Sequence, residues 1–186
     1  MDRVALQVYG DPTTPMLKEE PVRTESRTSS LLRAAGKGAV AGVAGGTAML
    51  VTEKAEQLVT RRPNSFVPGR ALLTMLGRMP GDGDKPLVWN YVMHFGTAAS
   101  LGALRGVWAA TGIRGASATA CHTIIRLGVD QTVENATGVG APPADWPRGE
   151  LAVDVTHKAV FAAVTGAITD RTVLPTLTSY RGRASH

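Results

Sequence analysis

The sequence predicts an all-α fold: a bundle of about four helices, integral to a membrane, with a disordered N-terminal tail. Three observations carry this expectation. The stretch Gly38–Thr52 has no charge and repeats glycine every fourth residue, at Gly38, Gly42 and Gly46. The run Pro86–Leu104 is 19 residues without a formal charge, and His94 is its sole ionisable group. Two further apolar stretches, over 114–137 and about 147–172, flank a Gly/Pro-rich turn. Composition sets the bounds. At 186 residues the chain has about one domain's length, and 44% hydrophobic residues with a net charge of +5 are too apolar for a wholly disordered chain. One cysteine, Cys121, excludes an intrachain disulfide framework and a zinc finger.

Residues 1–30 read as the tail. They hold Pro12, Pro15 and Pro21, four basic and five acidic residues and a Ser/Thr cluster, but no apolar h-region of a signal peptide. Val4–Tyr9 is short enough to be a strand or a docking segment. The bundle is expected over 31–173, with a flexible tail over 174–186. The first helix spans 31–60, capped by Ser29 or Ser30. In water its glycines each cost a helix about 1 kcal/mol relative to alanine. In lipid the same GxxxGxxxG stripe lets a neighbouring helix approach closely. A connection over 63–86 contains a short helix, Arg70–Arg78, and ends at the breaker Pro80–Asp84.

Residues 86–111 are the strongest membrane candidate, since 19 uncharged residues suffice for a hydrocarbon core of about 30 Å. Trp89 and Trp108, about 28 Å apart along a helix, suit two interfacial belts, and Arg105 would have to snorkel. The third and fourth helices are interrupted by charge and do not pass as lone spans. They fit as inner members of a bundle, where ionised groups face one another. A soluble bundle is the alternative, and a mean hydropathy of +0.01 favours it. The poverty in Phe (three residues) and the wealth of glycine (21) favour the membrane. A nucleic-acid partner is not expected despite a pI near 9.8, because the basic residues are scattered and lack a recognition motif.

The sharpest feature is a pair of ladders. His122, Arg126, Asp130 and Glu134 recur every fourth residue on the third helix; Glu150, Asp154 and Lys158 do so on the fourth, with His157 beside them. An antiparallel pair would bring like charges to equal depth unless a stagger pairs Arg126 with Asp154 and Lys158 with Asp130. One reading is a structural ion-pair network. The other is an acid/base cluster of Asp130, Glu134, Asp154, His157 and Arg126, with His94, His122, Glu150 and Trp146 as further candidates. Asp154-x-x-His157 has the spacing of di-iron bundles and Glu53-x-x-Glu56 adds acids, but a second carboxylate-x-x-His pair is missing. No metal and no cofactor are therefore expected. Cys121 reads as a small core residue, and no nucleophile or phosphate-loop motif is present.

Three stretches carry a resemblance: Glu53–Arg70 (EKAEQLVTRRPNSFVPGR), Trp89–Gly106 (WNYVMHFGTAASLGALRG) and Asp130–Asp170, with its D-Q-T-x-E-N-x-T-G-x-G-x-P-P and D-x-x-H-K motifs. Over roughly 31–173 the chain resembles a family of uncharacterised small proteins from filamentous fungi. A weaker likeness, on His94 with Gly102, Pro142-Pro143 with Trp146 and Asp154 with His157, runs to the bacterial YagU-like inner-membrane proteins. At the Trp146 corner, Ala144-Asp145 stands where the family pattern has an aromatic residue. The resemblance implies a multi-helix, membrane-embedded protein and no particular reaction.

The leading expectation is thus a small multi-pass membrane protein, partnered by the lipid bilayer, whose interior acidic/His cluster handles protons. The enzyme alternative is a cyclase, isomerase or hydrolase acting on a lipophilic small molecule, with Asp130 or Asp154 as acid, His157 as base and Arg126 as charge partner. The third is a structural adaptor or oligomer that docks partner helices through Gly38, Gly42 and Gly46.

Overall fold

The computed structural model describes residues 26–177. The tail segment Val4–Tyr9 and residues 178–186 lie outside the described residues. Five α-helices run in order: α1 (Arg27–Thr60), α2 (Val67–Met75), α3 (Leu87–Ala110), α4 (Gly115–Ala136) and α5 (Arg148–Thr172). A 3-10 turn, Pro143–Asp145, precedes α5, and no strand occurs among the described residues. The expected all-α architecture is therefore observed. Helices α3 and α5 run one way and α1 and α4 the other. Gly38 faces Gly106 while Gly42 faces Gly102, Lys37 reaches Thr172, and Asp130 reaches Lys158.

Helix α1 starts at Ser26, earlier than the serines expected to cap it. The Ser26 hydroxyl accepts the Ser29 N–H at 3.2 Å, satisfying one of the first-turn donors. Its other end stops at Arg61, whose left-handed φ of 59° returns its N–H to Gln57 O at 2.8 Å. Helix α2 begins three residues before the expected 70–78, because Pro68 is tolerated in a first turn, where its missing N–H is not needed. The Gly69 N–H donates to Asn90 Oδ1 at 2.9 Å, tying α2 to the start of α3.

The glycine stripe closes the bundle from within. A Cβ on Gly38 would stand 2.7 Å from Gly106 Cα, and one on Gly42 would overlap Ala98 O and lie 2.8 Å from Gly102 Cα. The helix that Gly38, Gly42 and Gly46 admit is thus α3 of the same chain, and its Gly102 and Gly106 reciprocate. Gly45, on a neighbouring face, admits α5 at Phe161 and Thr165.

The apolar core is small, with Met49, Ala98, Leu101, Phe161 and Ala162 in one cluster and Ala34, Ala109, Ala110 and Val173 in another. Leu177 packs on the second and its N–H donates to Ala110 O at 3.0 Å, so the chain stays docked as far as Leu177. Alongside these lie buried polar residues, among them Arg105, His122, Arg126, His157 and Lys158.

Three expectations need correction. Arg105 does not snorkel: it is 0% exposed and forks onto both oxygens of Asp170 at 2.8 and 2.9 Å, and Arg114 approaches the same carboxylate at 3.8 Å. A partner inside the bundle removes the need to reach the interface. Cys121 is exposed rather than in the core, because the ladder face that turns His122 and Arg126 inward turns Cys121 out. The helices long and apolar enough to cross a membrane are α1 and α5, whose 18-residue windows average hydropathies of 1.2 and 1.4. Segment 86–111 is not among them, and α5 passes although its charge-free core alone is short, since its valines and Ile168 outweigh Asp154 and Lys158.

Candidate functional site

A cavity of about 320 Å³ opens at the end of the bundle where α1 and α4 finish and α3 and α5 begin. Its walls carry five carboxylates, Glu53, Asp130, Glu134, Glu150 and Asp154, and three cations, Arg62, Arg126 and Lys158. His94, His157, Asn90, Ser65, Thr97 and Trp146 add to the polar lining. Every acid/base candidate from the sequence except His122 therefore lines one cavity.

The ladders interlock by half of the expected stagger. Lys158 Nζ approaches Asp130 Oδ2 across the helix pair at 3.5 Å and also bonds Asp154 one turn back on its own helix. Arg126 does not reach Asp154. Its Nε donates to Asp130 Oδ2 at 3.0 Å, and its guanidinium carbon stands 4.9 Å from the centre of the Phe161 ring. Asp130 Oδ2 thus accepts from Arg126 and lies within ion-pair distance of Lys158, so both cations stand against the same carboxylate. Arg126 Nη1 and Asp154 Oδ2 are buried without a partner, one donor and one acceptor in the same cavity.

Glu134 differs from its neighbours. It makes no ion pair with Arg126 or Lys158 within 4 Å, and burial, then the Asp130 carboxylate beside it, push its carboxyl up to about 7. It lies in the last turns of α4, where the loop returns over it: Val139 and Gly140 both donate to Glu134 O, and a Cβ on Gly140 would stand 2.8 Å from Glu134 Cβ. His157 is 6% exposed at the same level. His94 is held by Gly46 O at 2.9 Å and edges onto Phe95.

His122 sits elsewhere. It is fully buried above the cavity, 3.1 Å from Leu101 O and between Phe161 and Trp108. Trp108 is thereby turned partly inward, whereas Trp89 stays exposed. The Trp146 indole donates to Ala141 O at 2.9 Å, and the 3-10 turn over Pro143–Asp145 closes this corner without a further aromatic residue. Arg62 joined the cavity unannounced. It is held by Glu56 through contacts of 3.0 and 3.2 Å, and its one sequence signal is the Arg61-Arg62-Pro63 exit from α1. Among the described residues no three His, Cys, Asp or Glu side chains converge as metal ligands, Asp154 with His157 included.

No protein-family model, curated protein or solved structure matches the chain.

Proposed function

We propose that the chain is a multi-pass membrane protein in which α1, α3, α4 and α5 cross the bilayer, and that its acidic cavity takes up and releases protons at one membrane face. One observation carries the reading: charge is turned inward. From Val40 to Thr60 of α1, throughout α3 and α4, and from Leu151 to Ala167 of α5, every exposed residue is uncharged. A water-soluble helix bundle has the reverse layout, with ionised side chains outward. The uncharged outer face of α3 runs over about 36 Å, enough for a hydrocarbon core. The charge-free cores of these helices are 38–52, 86–104, 115–125 and 159–169, and Glu134 lies beyond that of α4, in the last turns at the cavity end. The likeness to the fungal family accords with this placement.

The proton role follows from the cavity's balance. Five carboxylates share it with three cations, so full ionisation leaves an excess of negative charge crowded in a partly dry space, which favours keeping a proton there. Glu134, unpaired and raised, is the group that holds it. A second reading, acid/base chemistry on a lipophilic small molecule, is favoured by the cavity's volume and by the unpartnered Arg126 Nη1 and Asp154 Oδ2, a donor and an acceptor for one ligand. In that reading the acid is Glu134 rather than the ion-paired Asp130 or Asp154.

Cys121 supplies the test, being the single cysteine and exposed on α4. In carbonate-washed membranes it resists a charged, membrane-impermeant thiol reagent and reacts after unfolding in dodecyl sulfate. Release of the chain by carbonate, or full labelling of intact membranes, overturns the membrane reading. For the cavity, proton uptake by the purified chain near neutral pH drops by about one group in Glu134→Gln; an unchanged titration refutes the proton role.

A further inference from the structure

We propose that the cavity binds a small organic amine that carries a hydroxyl or a primary amide. That neutral group sits deep, and the ammonium group sits at the rim in place of the proton on Glu134. The inference rests on the proton-binding reading above and deepens it by naming a ligand class. It does not depend on the chain crossing a membrane.

The deep wall is a chain of four ionised side chains. Arg126 Nε donates to Asp130 Oδ2 at 3.0 Å, Lys158 Nζ stands 3.5 Å from the same oxygen, and Lys158 also bonds Asp154. Arg126 and Lys158 are 3% and 4% exposed. Two atoms without a partner fall at the two ends of this chain, Arg126 Nη1 as a donor and Asp154 Oδ2 as an acceptor. Two cations and two carboxylates balance, so a charged ligand group there would stand uncompensated in dry surroundings. A neutral group that accepts from Arg126 and donates to Asp154 completes the chain, and hydroxyls and primary amides do both.

The rim has the opposite need. Glu150 is exposed, and Glu53, Glu134, Arg62 and Trp146 are half-buried in the same wall. Three carboxylates thus face one cation, and Arg62 is already held at 3.0 Å by Glu56, which does not line the cavity. Ser26 and Leu177, where the described residues end, lie at the other end of the bundle. An ammonium group offsets the excess, and an indole such as Trp146 favours a cation beside it. Met49, Ala71, Met93 and Val133 add apolar wall, and about 320 Å³ suits a one-ring or short-chain molecule.

Glu134 couples the ligand to the proton. The ionisable groups around it are Arg126 and Asp130 of its own helix, Glu150, Asp154, His157 and Lys158 of α5, Glu53 of α1, His94 of α3, and Arg62; α2 adds none to the wall. Arg126 and Lys158 are engaged by Asp130 and Asp154 rather than by Glu134. A ligand ammonium supplies the missing counter-charge, so the Glu134 carboxyl gives its proton to the buffer as the amine binds.

Isothermal titration calorimetry of the full chain in nonionic detergent tests this, at about pH 6 and in two buffers of different ionisation enthalpy. At least one of tyramine and β-alaninamide binds. Its counterpart without the neutral group, phenethylamine or propylamine, binds about tenfold more weakly, and so does its counterpart without the ammonium group, tyrosol or propanamide. Binding releases about one proton, because Glu134 titrates at about 7. Glu134→Gln abolishes that release. Glu150→Gln weakens binding about threefold, whereas Asp82→Asn, exposed and outside the cavity wall, leaves it unchanged. The comparison of probes uses the native chain and needs no variant to fold. Binding of neither amine, or equal affinity with and without the neutral group, overturns the ligand site. Undiminished proton release by Glu134→Gln overturns the exchange. A chain whose acid–base titration loses a group in Glu134→Gln but which binds neither probe sinks the ligand site alone; a titration unchanged by Glu134→Gln sinks the proton reading itself.

Discussion

Replacing Gly42 by alanine adds one methyl group to one of the tightest points of the molecule. That Cβ would overlap Ala98 O and lie 2.8 Å from Gly102 Cα, where ordinary contact is 3.4–4 Å. The shortfall on Gly102 alone is roughly 0.6–1.2 Å (3.4 − 2.8 to 4 − 2.8), and both opposing atoms are backbone, so no rotamer change relieves it. Overpacking typically costs about 1–3 kcal/mol, and a backbone wall puts Gly42 near the top of that range. Alanine's better helix propensity returns about 1 kcal/mol. The net loss is about 2 kcal/mol, a fall in Tm of about 4–8 °C for a chain of this size. Gly36, six residues earlier in the same helix, is the internal control, because a Cβ there meets nothing within 4 Å. Gly36→Ala is expected to raise Tm by about 2–4 °C from propensity alone. Thermal unfolding followed by circular dichroism in one detergent measures both. If the two variants shift in the same direction by similar amounts, the close α1–α3 contact does not hold the bundle together.

Three further outcomes follow. Asp170→Asn strands the fully buried Arg105 without its counter-charge and is expected to cost about 3–5 kcal/mol. Adding Arg105→Met recovers part of that loss, and a double variant less stable than Asp170→Asn contradicts the ion-pair account. For Glu134, a folded-state value of about 7 against an ordinary 4.5 means that the folded chain keeps a proton the unfolded chain has released. Stability therefore falls as pH rises from about 4.5 to about 7, and Glu134→Gln flattens that slope; parallel unfolding profiles of variant and native chain refute it. Lys158→Met removes the cation shared by Asp130 and Asp154 across the α4–α5 pair, and its unfolding midpoint is expected to drop; a midpoint equal to the native one shows that this cation does not hold the two helices together.

Much of the fold is legible in the chain because its signals are local. Pro63, Pro80, Pro86 and the Gly138–Pro143 turn punctuate the helices, and the expected boundaries of all five helices fall within four residues of those observed. The site is legible for the same reason: residues spaced by four on adjacent antiparallel helices must share a face, and a short turn must bring those faces together. What escaped is what depends on rotation and on distant partners. Nothing near Arg105 announces Asp170, and nothing near Gly42 names Gly102 rather than another molecule as its contact. The ladder spacing puts His122 on the same face as Arg126, but not below the level of Phe161, which separates it from the cavity. Arg62 enters only because α1 overshoots the other helices and turns back at Arg61.

The fork between Arg105 and Asp170 also bears on how such a chain is made. Its two halves are 65 positions apart, and α3 leaves the ribosome well before the end of α5 exists. At about 5–20 residues per second, the guanidinium waits roughly 3–13 s for its carboxylate. Through that interval the guanidinium is without its counter-charge, and α3 has for a neighbour only α1, which is already complete and carries the matching glycines.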